Sequence, residues 1–407
     1  MSCPSPCLPP EIWAEIFEHV TFVPGLMDVD FADPFHTPTS STPLAPFSRS
    51  DLRCTLLERL TLTLVCKTWH PTALPFLYRC VHIRRDADAQ NLEPVLRRSG
   101  LLLGSYVRHL IVDIDGAPKH DWTPLAQCFP NLEILTAPEA GIVYQRRWIF
   151  RSILSSTAED SDEAPGGFLR SLAETCGQSL LRLHVNTQSV SGEDFNSILV
   201  LMPRLRTLLY EHERPSIDLF RAPHLTFLTI HGKYADTEAI EGPFPSLRHA
   251  FVHDCPYPLS RFLALQGSLL TTLHLDLRRS DKTFFDDVMR SCPNIIHLIL
   301  YFRTFPLGQG IDLQSVGYVR CLGIHVAQLA DATVMDYVRF LRSLGRLDCS
   351  SPRVVRILNP EVMEVANYYL NSTKAADSDL RRNMAAGVIQ VEDNTGRPMG
   401  GKAADKH

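Results

Sequence analysis

The sequence lacks several patterns that would assign a function at once. Its 407 residues include 11 cysteines, an odd number, and no Cys-x-x-Cys pair, so neither a disulfide framework nor a zinc site is indicated. The charge balance has no basic excess, because 40 Lys and Arg stand against 45 Asp and Glu. We therefore expect neither a nucleic-acid groove nor a surface for anionic membranes.

Long apolar runs and catalytic motifs are also missing. No run of about 18 apolar residues that could span a bilayer occurs, and residues 1–13 have neither a cationic start nor an apolar core, so we expect no secretory signal. The sequence contains no phosphate-binding Gly-rich loop, no HExxH and no GxSxG. Without such motifs we predict no catalysis, no cofactor and no metal. Free thiols without a secretory signal fit a reducing compartment, so we expect the protein in the cytoplasm, the nucleus or both.

What the chain does have is a repeat. Ten times from residue 107 onward, an aliphatic residue is followed three positions later by an aliphatic residue or Ala, and five positions later by an apolar one. The first positions lie 20 to 25 residues apart, except for one interval of 48. This period indicates a leucine-rich solenoid. The first positions are Val107, Leu132, Leu180, Leu205, Leu225, Leu247, Leu270, Ile295, Val319 and Leu344.

Prolines support this interpretation. Pro130, Pro203, Pro223, Pro245 and Pro293 each stand two residues before a repeat's first aliphatic. Because proline ends a helix, each unit reads as helix, proline, strand. We predict an α+β to α/β fold: a small helical domain, then an irregular solenoid with parallel strands on a concave face and helices on a convex one. A different α/β sheet protein is the alternative, although its units usually run longer.

The chain is predicted to have three parts. Residues 1–85 read as a helical domain with a Pro/Ser/Thr-rich insertion at about 21–50. Residues 86–370 read as the solenoid, with the repeat register open at 140–178. Residues 371–407 have no sustained apolar face, which predicts a disordered tail.

Within the insertion, the stretch "DVDFAD", residues 28–33, holds three acidic residues. It lacks the glycine of a calcium-binding loop, so we predict solvated side chains in a loop.

The N-terminal part carries a pattern in two halves. Residues 8–17, "LPPEIWAEIF", contain Leu-Pro-x-Glu-Ile and Ile-Phe, and Val-Cys-Lys-x-Trp follows at 65–69. The stretch "PFLYR" and an alternating segment come next. These residues resemble an F-box that is split by the insertion. An interrupted F-box followed by irregular leucine-rich repeats is similar to the F-box family expanded in mushroom-forming fungi.

The resemblance implies a function. Such a protein is the substrate-recognition subunit of an SCF-type cullin-RING ubiquitin ligase. Its box binds a Skp-family adaptor, which links it to the cullin and RING subunits, and its repeats bind a protein substrate that the sequence does not identify. No catalytic residue is needed, since the effect is proximity. By resemblance, the adaptor contact is formed or supported by Leu8, Pro9, Ile12, Ile16, Phe17, Val65, Cys66 and Trp69.

A second candidate site lies on the predicted concave face. Strand side chains alternate, so the residues beside the repeat aliphatics point to this face, and seven of the 16 histidines fall there. We predict that this face binds the substrate. Titrating histidines are one version of the hypothesis, and a metal site is a less favoured one. The candidates are Arg182, His184, Glu211, Phe227, His231, His249, Phe251, His253, His274, Asp276, His297, Tyr301 and His325.

Two alternatives remain open. The chain is a non-catalytic repeat scaffold if its box-like helices merely cap the solenoid, and then the apolar face of residues 8–20 is covered internally. It is an enzyme if the His-rich face forms a catalytic cleft. Against the enzyme, the spacing indicates no set of nucleophile, base and orienting residue. Cys66 could act as a nucleophile with His70 four residues on, but it fits better as a small apolar helix residue.

Overall fold

The computed structural model divides by residue contacts into two compact units. The first is Met1–Asp30 with Leu44–Tyr210, and the second is Phe31–Pro43 with Glu211–His407. The structure describes residues 8–30, 33, 35, 49–100, 102–113, 121–137, 167–186, 192–211, 222–231, 244–253, 260–277, 282–302, 319–326, 344, 353–358, 367 and 379–399. Most of the predicted insertion and of the open register at 140–178 lies outside them.

The first unit begins with three helices that lead into a sheet. They are α1, Pro10–Val20; α2, Arg49–Leu64; and α3, His70–Arg79. Prolines stand in the first turn of α1 and of α3, where a missing backbone N–H does no harm. Helix α3 runs directly into strand β1, Cys80–Ile83. This helical part lies in the same compact unit as the strands that follow.

The strands of the first unit follow one another in chain order, and each described pair is parallel. After β1 they are β2, His109–Val112; β3, Ile134–Ala137; β4, Arg182–Asn186; and β5, Thr207–Glu211. The helices among them are α4, Asp86–Arg98; α5, Leu102–Ser105; α6, Thr123–Ala126; α7, Gly167–Cys176; and α8, Gly192–Leu199.

The second unit has the same plan. Its strands are β6, Phe227–His231; β7, His249–His253; β8, Thr272–Asp276; β9, His297–Phe302; β10, Cys321–Val326; β11, Arg353–Ile357; and β12, Ile389–Glu392. They too are parallel and in chain order. The described helices are α9, Ser260–Gln266, which continues as a 3₁₀ turn; α10, Lys282–Ser291; and α11, Asp379–Ala385.

The repeat aliphatics build the core of both units. All ten predicted first positions are buried, with at most 2% of each residue exposed. Second positions from successive repeats face each other across the strands: Leu110 pairs with Leu135, and Leu298 pairs with Leu273 and Leu322. One residue per repeat therefore stacks on the next inside the sheet, which explains the period. The predicted α/β class with parallel strands is confirmed.

The C-terminal part corrects two expectations. The tail from 371 was expected to be disordered, yet within residues 379–399 it forms α11 and β12, and β12 pairs with β11. Ile389 and Val391 are buried there. The tenth repeat also differs, because Leu344 is helical and the strand lies further on, at β11. In the described parts of the chain, no helix has the length and apolar character to cross a membrane.

Candidate functional site

An aromatic cluster holds the N-terminal helices together. The Trp69 ring, just before α3, lies 4.4 Å from the Trp13 ring and 5.1 Å from the Phe17 ring, both on α1. Phe76 of α3 meets Phe17 edge-on, with 6.2 Å between ring centroids. Glu18 and Arg79 add an ion pair of 2.8 Å between the same two helices. Trp69 of the Val-Cys-Lys-x-Trp motif therefore fixes α1 against α3.

Beside this cluster, α1 carries apolar side chains that are open to solvent. Ile12, Ile16 and Val20 are 40%, 37% and 50% exposed, and Leu8, just before the helix, is 40% exposed. Their spacing of four places them in one row along the helix. A single exposed apolar residue needs no explanation, but an aligned row of large ones is typical of a docking surface.

Helix α2 contributes a second exposed row. Leu56, Leu60 and Leu64 also follow a spacing of four and are 49%, 43% and 73% exposed. Fifteen large hydrophobic side chains are exposed in the described parts of the chain, and ten of them fall within residues 8–65. We name these ten the N-terminal apolar surface. They are Leu8, Ile12, Ile16, Val20, Phe22, Leu56, Leu57, Leu60, Leu64 and Val65.

The residues predicted to contact the adaptor divide into two groups. Leu8, Pro9, Ile12, Ile16, Val65 and Cys66 are exposed. Trp69 is half-buried, and Phe17 is 0% exposed, so Phe17 can support a contact through the aromatic cluster but cannot make one. Sequence reasoning missed the leucines of α2. The signal was present in their spacing of four, but Leu57 and Leu62 stand among them and obscure which face is outward.

The candidates for substrate binding lie on one face of the strands. We name it the spacer face: the side chains that alternate with the repeat aliphatics, such as Arg182 and His184 in β4. Each unit has its own. The expectation of accessible side chains is wrong for seven candidates, which are buried: Arg182, His184, Phe227, Phe251, His274, Asp276 and Tyr301. His249, His297 and His325 are half-buried. The side chains of Glu211, His231 and His253 lie outside the described parts.

One reason for this burial is that the spacer residues pack on one another. In the second unit, the Phe251 ring lies edge-on to Tyr301 at 5.2 Å between centroids and to His274 at 5.8 Å. His274 Nδ1 is also 3.2 Å from the Tyr301 hydroxyl. Large rings on neighbouring strands thus cover each other, which a sequence pattern cannot show.

Another reason is a segment of the insertion that lies on the spacer face. We name its described residues, 21–30, 33 and 35, the strap. In the first unit, its backbone carbonyls accept hydrogen bonds from three strands. His109 is 2.6 Å from the Leu26 oxygen, Arg182 donates to the Asp28 oxygen over 3.0 Å, and Thr207 donates to the Val29 oxygen over 2.9 Å. Leu26 and Val23 pack with Cys80 and Ile111 and anchor the strap in the core.

In the second unit, the strap residue Asp33 is bound by its side chain. Its carboxylate accepts hydrogen bonds from the Thr272 hydroxyl over 3.1 Å and from His297 Nδ1. Burial disfavours the charged forms of both Asp33 and His297. The hydrogen bond between them, together with the further hydrogen bonds and charges around each group, outweighs that effect, so the pKa of Asp33 falls to about 2 and that of His297 rises to about 9. The expectation that "DVDFAD" is solvated is therefore wrong for Asp33, which is 7% exposed.

The next described strap residue, Phe35, is seated beside this ion pair. Its ring centroid is 5.1 Å from the His297 ring, and the Arg356 guanidinium lies over it at 5.0 Å, a cation–π geometry. Gly323 on β10 allows the close approach, since an added Cβ there would sit 3.4 Å from the Phe35 ring and 3.0 Å from Ile299. The Phe35 ring is thus surrounded by the His297 ring, the Arg356 guanidinium and the backbone at Gly323.

Buried histidines should make the protein sensitive to acid. Burial, and then the charge of Arg182, lower the pKa of His109 and His184 to about 3. Neutral His109 with its proton on Nδ1 donates to the Leu26 oxygen and accepts from the Thr136 hydroxyl at 2.9 Å. In the unfolded chain these residues titrate near pH 6.5. Between pH 6.5 and 3 the unfolded state binds more protons, so stability falls as pH falls.

We therefore expect the free energy of unfolding to decrease by about 1.4 kcal/mol per pH unit for each such histidine below about pH 6. Urea unfolding between pH 7.5 and 5, followed by circular dichroism, measures this slope. The variant His109→Gln should be less stable at pH 7.5. Its free energy of unfolding should depend less steeply on pH, by about 1.4 kcal/mol per pH unit, which corresponds to one proton. An unchanged slope in this variant would show that His109 is protonated in the folded state.

Among the described residues, no group of three or more His, Cys, Asp or Glu side chains could hold a metal ion. The site consists instead of an exposed apolar surface on α1 and α2 and a spacer face that the strap partly covers. No protein-family model and no curated protein matches this sequence, so comparison with known proteins assigns it to no family.

Proposed function

We propose that this protein is the substrate-recognition subunit of an SCF-type cullin-RING ubiquitin ligase. In this proposal, helices α1 to α3 are a split F-box that binds a Skp-family adaptor. The parallel strands of the two units are irregular leucine-rich repeats that bind a protein substrate. The protein contributes no catalytic group, since holding a target near the charged conjugating enzyme raises the rate by proximity.

The observation that carries the proposal is the N-terminal apolar surface. Its α1 side chains stand on a helix that the cluster of Trp13, Phe17, Trp69 and Phe76 fixes against α3. Burying one exposed Leu or Ile stabilises an interface by roughly 1.5–3 kcal/mol, and a few such residues can dominate the binding energy. A preformed apolar surface of this kind supports docking of a folded partner.

The scaffold alternative requires the apolar face of residues 8–20 to be covered internally. Ile12, Ile16 and Val20 are instead between 37% and 50% exposed. Four residues of this surface, Leu8, Ile12, Ile16 and Val65, also belong to the motif that carries the F-box resemblance. Both points favour an adaptor-binding box over a cap of the repeats.

Mixing the wild-type protein with a purified Skp-family adaptor tests the proposal. We expect a 1:1 complex on size exclusion with light scattering, and titration calorimetry should give a submicromolar Kd. An adaptor that remains separate from a folded wild-type chain at ten micromolar would overturn the F-box assignment.

A further inference from the structure

We propose that the spacer face of the second unit binds an extended peptide segment of the substrate, with a carboxylate two residues before an aromatic ring. Asp33 and Phe35 then occupy this binding site as an internal pseudosubstrate. This inference rests on the proposed function, because it names the substrate class and a form of regulation for the same site. The substrate would have to displace Asp33 and Phe35 before it binds.

The carboxylate seat is specific. Thr272 lies on β8 and His297 on β9, and the two residues are direct partners across these strands. Their side chains converge on one carboxylate, Asp33, which is 7% exposed. A buried carboxylate without such donors would be strongly unfavourable. Asn or Gln would offer the Thr272 hydroxyl and the His297 imidazolium only a neutral oxygen, and a basic side chain would offer no acceptor and repel the imidazolium. The seat therefore favours Asp or Glu.

The aromatic seat adjoins it. Gly323 and Arg356 are direct partners on β10 and β11, and together with His297 they surround the Phe35 ring. A cation over a ring face favours an aromatic group over an aliphatic one. The absence of a side chain at Gly323 leaves room that a ring fills. The two seats therefore bind a carboxylate and an aromatic ring that lie two residues apart in one chain.

The first unit holds the strap in a different way. There the strands bind the backbone oxygens of Leu26, Asp28 and Val29, contacts that any sequence can make. Val23 and Leu26 anchor that part in the core. In the second unit, Asp33 and Phe35 are held through their side chains. The first part of the strap is thus anchored by backbone oxygens and apolar side chains. The second part is held by a carboxylate and a ring, and we propose that the substrate presents the same two groups.

Covalent attachment makes the strap a strong competitor. A tethered ligand with a short flexible linker acts at an effective concentration of order millimolar. An external peptide with the same contacts therefore binds wild-type protein weakly and binds better once the strap is disabled. We expect at least a ten-fold gain in affinity when Asp33 and Phe35 no longer compete.

The test uses the full chain with the substitutions Asp33→Asn and Phe35→Ala. The probe is a fluorescent peptide with the sequence of residues 28–38, DVDFADPFHTP, and binding is measured by fluorescence anisotropy. We expect this variant to bind the peptide at least ten-fold more tightly than wild type does. Peptides with Asn at the position of Asp33, or Ala at the position of Phe35, should bind at least ten-fold more weakly.

A receptor variant tests the seat itself. Thr272→Val, added to the strap variant, keeps the side-chain shape and removes one donor to the carboxylate. It should weaken binding of the wild-type peptide about ten-fold, since a hydrogen bond to a charged group is worth about 1.5–3 kcal/mol. It should leave binding of the Asn-containing peptide nearly unchanged, which general damage to the fold would not do.

A folded strap variant that does not bind the peptide overturns the inference. If the double variant does not fold, the single change Asp33→Asn takes its place, because it keeps the side-chain size. Failure of both to fold also overturns the inference, since the strap would then be a fixed part of the core. Adaptor binding is measured on the same samples. Lost peptide binding with retained adaptor binding rejects only the substrate class, and the reverse result rejects only the F-box assignment.

Discussion

The double substitution Ile12→Asp with Ile16→Asp is expected to weaken binding of a Skp-family adaptor at least a hundred-fold, or about 2.8 kcal/mol. Both side chains are exposed in the free protein, at 40% and 37%, so the substitutions place charges in water and should leave the fold intact. In the complex, the same charges would lie unpaired in an apolar contact, which is strongly unfavourable. Titration calorimetry with the purified adaptor measures the loss.

Val95→Asp is the matched control. Val95 lies on helix α4 of the same unit and is 43% exposed, but it is outside the N-terminal apolar surface. We expect this variant to bind the adaptor as wild type does. Equal losses in the two variants would point to a general effect of added charge. Tight binding by a folded Ile12→Asp, Ile16→Asp protein would place the adaptor contact elsewhere.

Removing the Glu392 side chain should destabilise the second unit by about 3–5 kcal/mol. The Arg356 guanidinium donates to Glu392 over 2.9 and 2.6 Å, and both side chains are at most 8% exposed. Glu392→Ala leaves the cation of Arg356 buried without its carboxylate. Urea unfolding measures the loss, and hydrogen exchange should show residues 379–399 opening first.

Two comparisons isolate the cause of this loss. Asp287 and Arg290 form an exposed ion pair, with side chains 67% and 77% exposed, so Asp287→Ala should change stability by less than about 1 kcal/mol. Replacing both buried partners, Arg356→Met with Glu392→Leu, should recover most of the stability, because an apolar pair can substitute for a buried ion pair. A Glu392→Ala protein as stable as wild type would mean that β12 contributes little to the fold.

The repeat made most of the sheet predictable. Leu110, Leu183 and Leu298 are buried in strands because each must stack on its counterpart in the next repeat. Strand β12 escaped prediction because Ile389 and Val391 are its only aliphatic residues. Two alternating positions are too few for a periodic signal. Its place in the sheet also depends on the distant partner Arg356, which no local pattern reveals.

The candidate site was predictable only in part. The motif residues located the helices of the N-terminal apolar surface, because Ile12 and Ile16 follow helical spacing. Asp33 and Phe35 could not be found in the same way, since they lie in an irregular Pro-rich stretch without periodicity. Asp33 meets His297 across a separation of 264 residues. Such a contact depends on the finished sheet and is invisible in the local sequence.

The most direct test of the adaptor-binding claim is hydrogen exchange of the wild-type protein with and without a purified Skp-family adaptor. We expect protection on binding in residues 8–20 and 56–65, with strands β6 to β12 unchanged. Binding that protects other segments, or a folded chain that shows no protection and no complex, would contradict it.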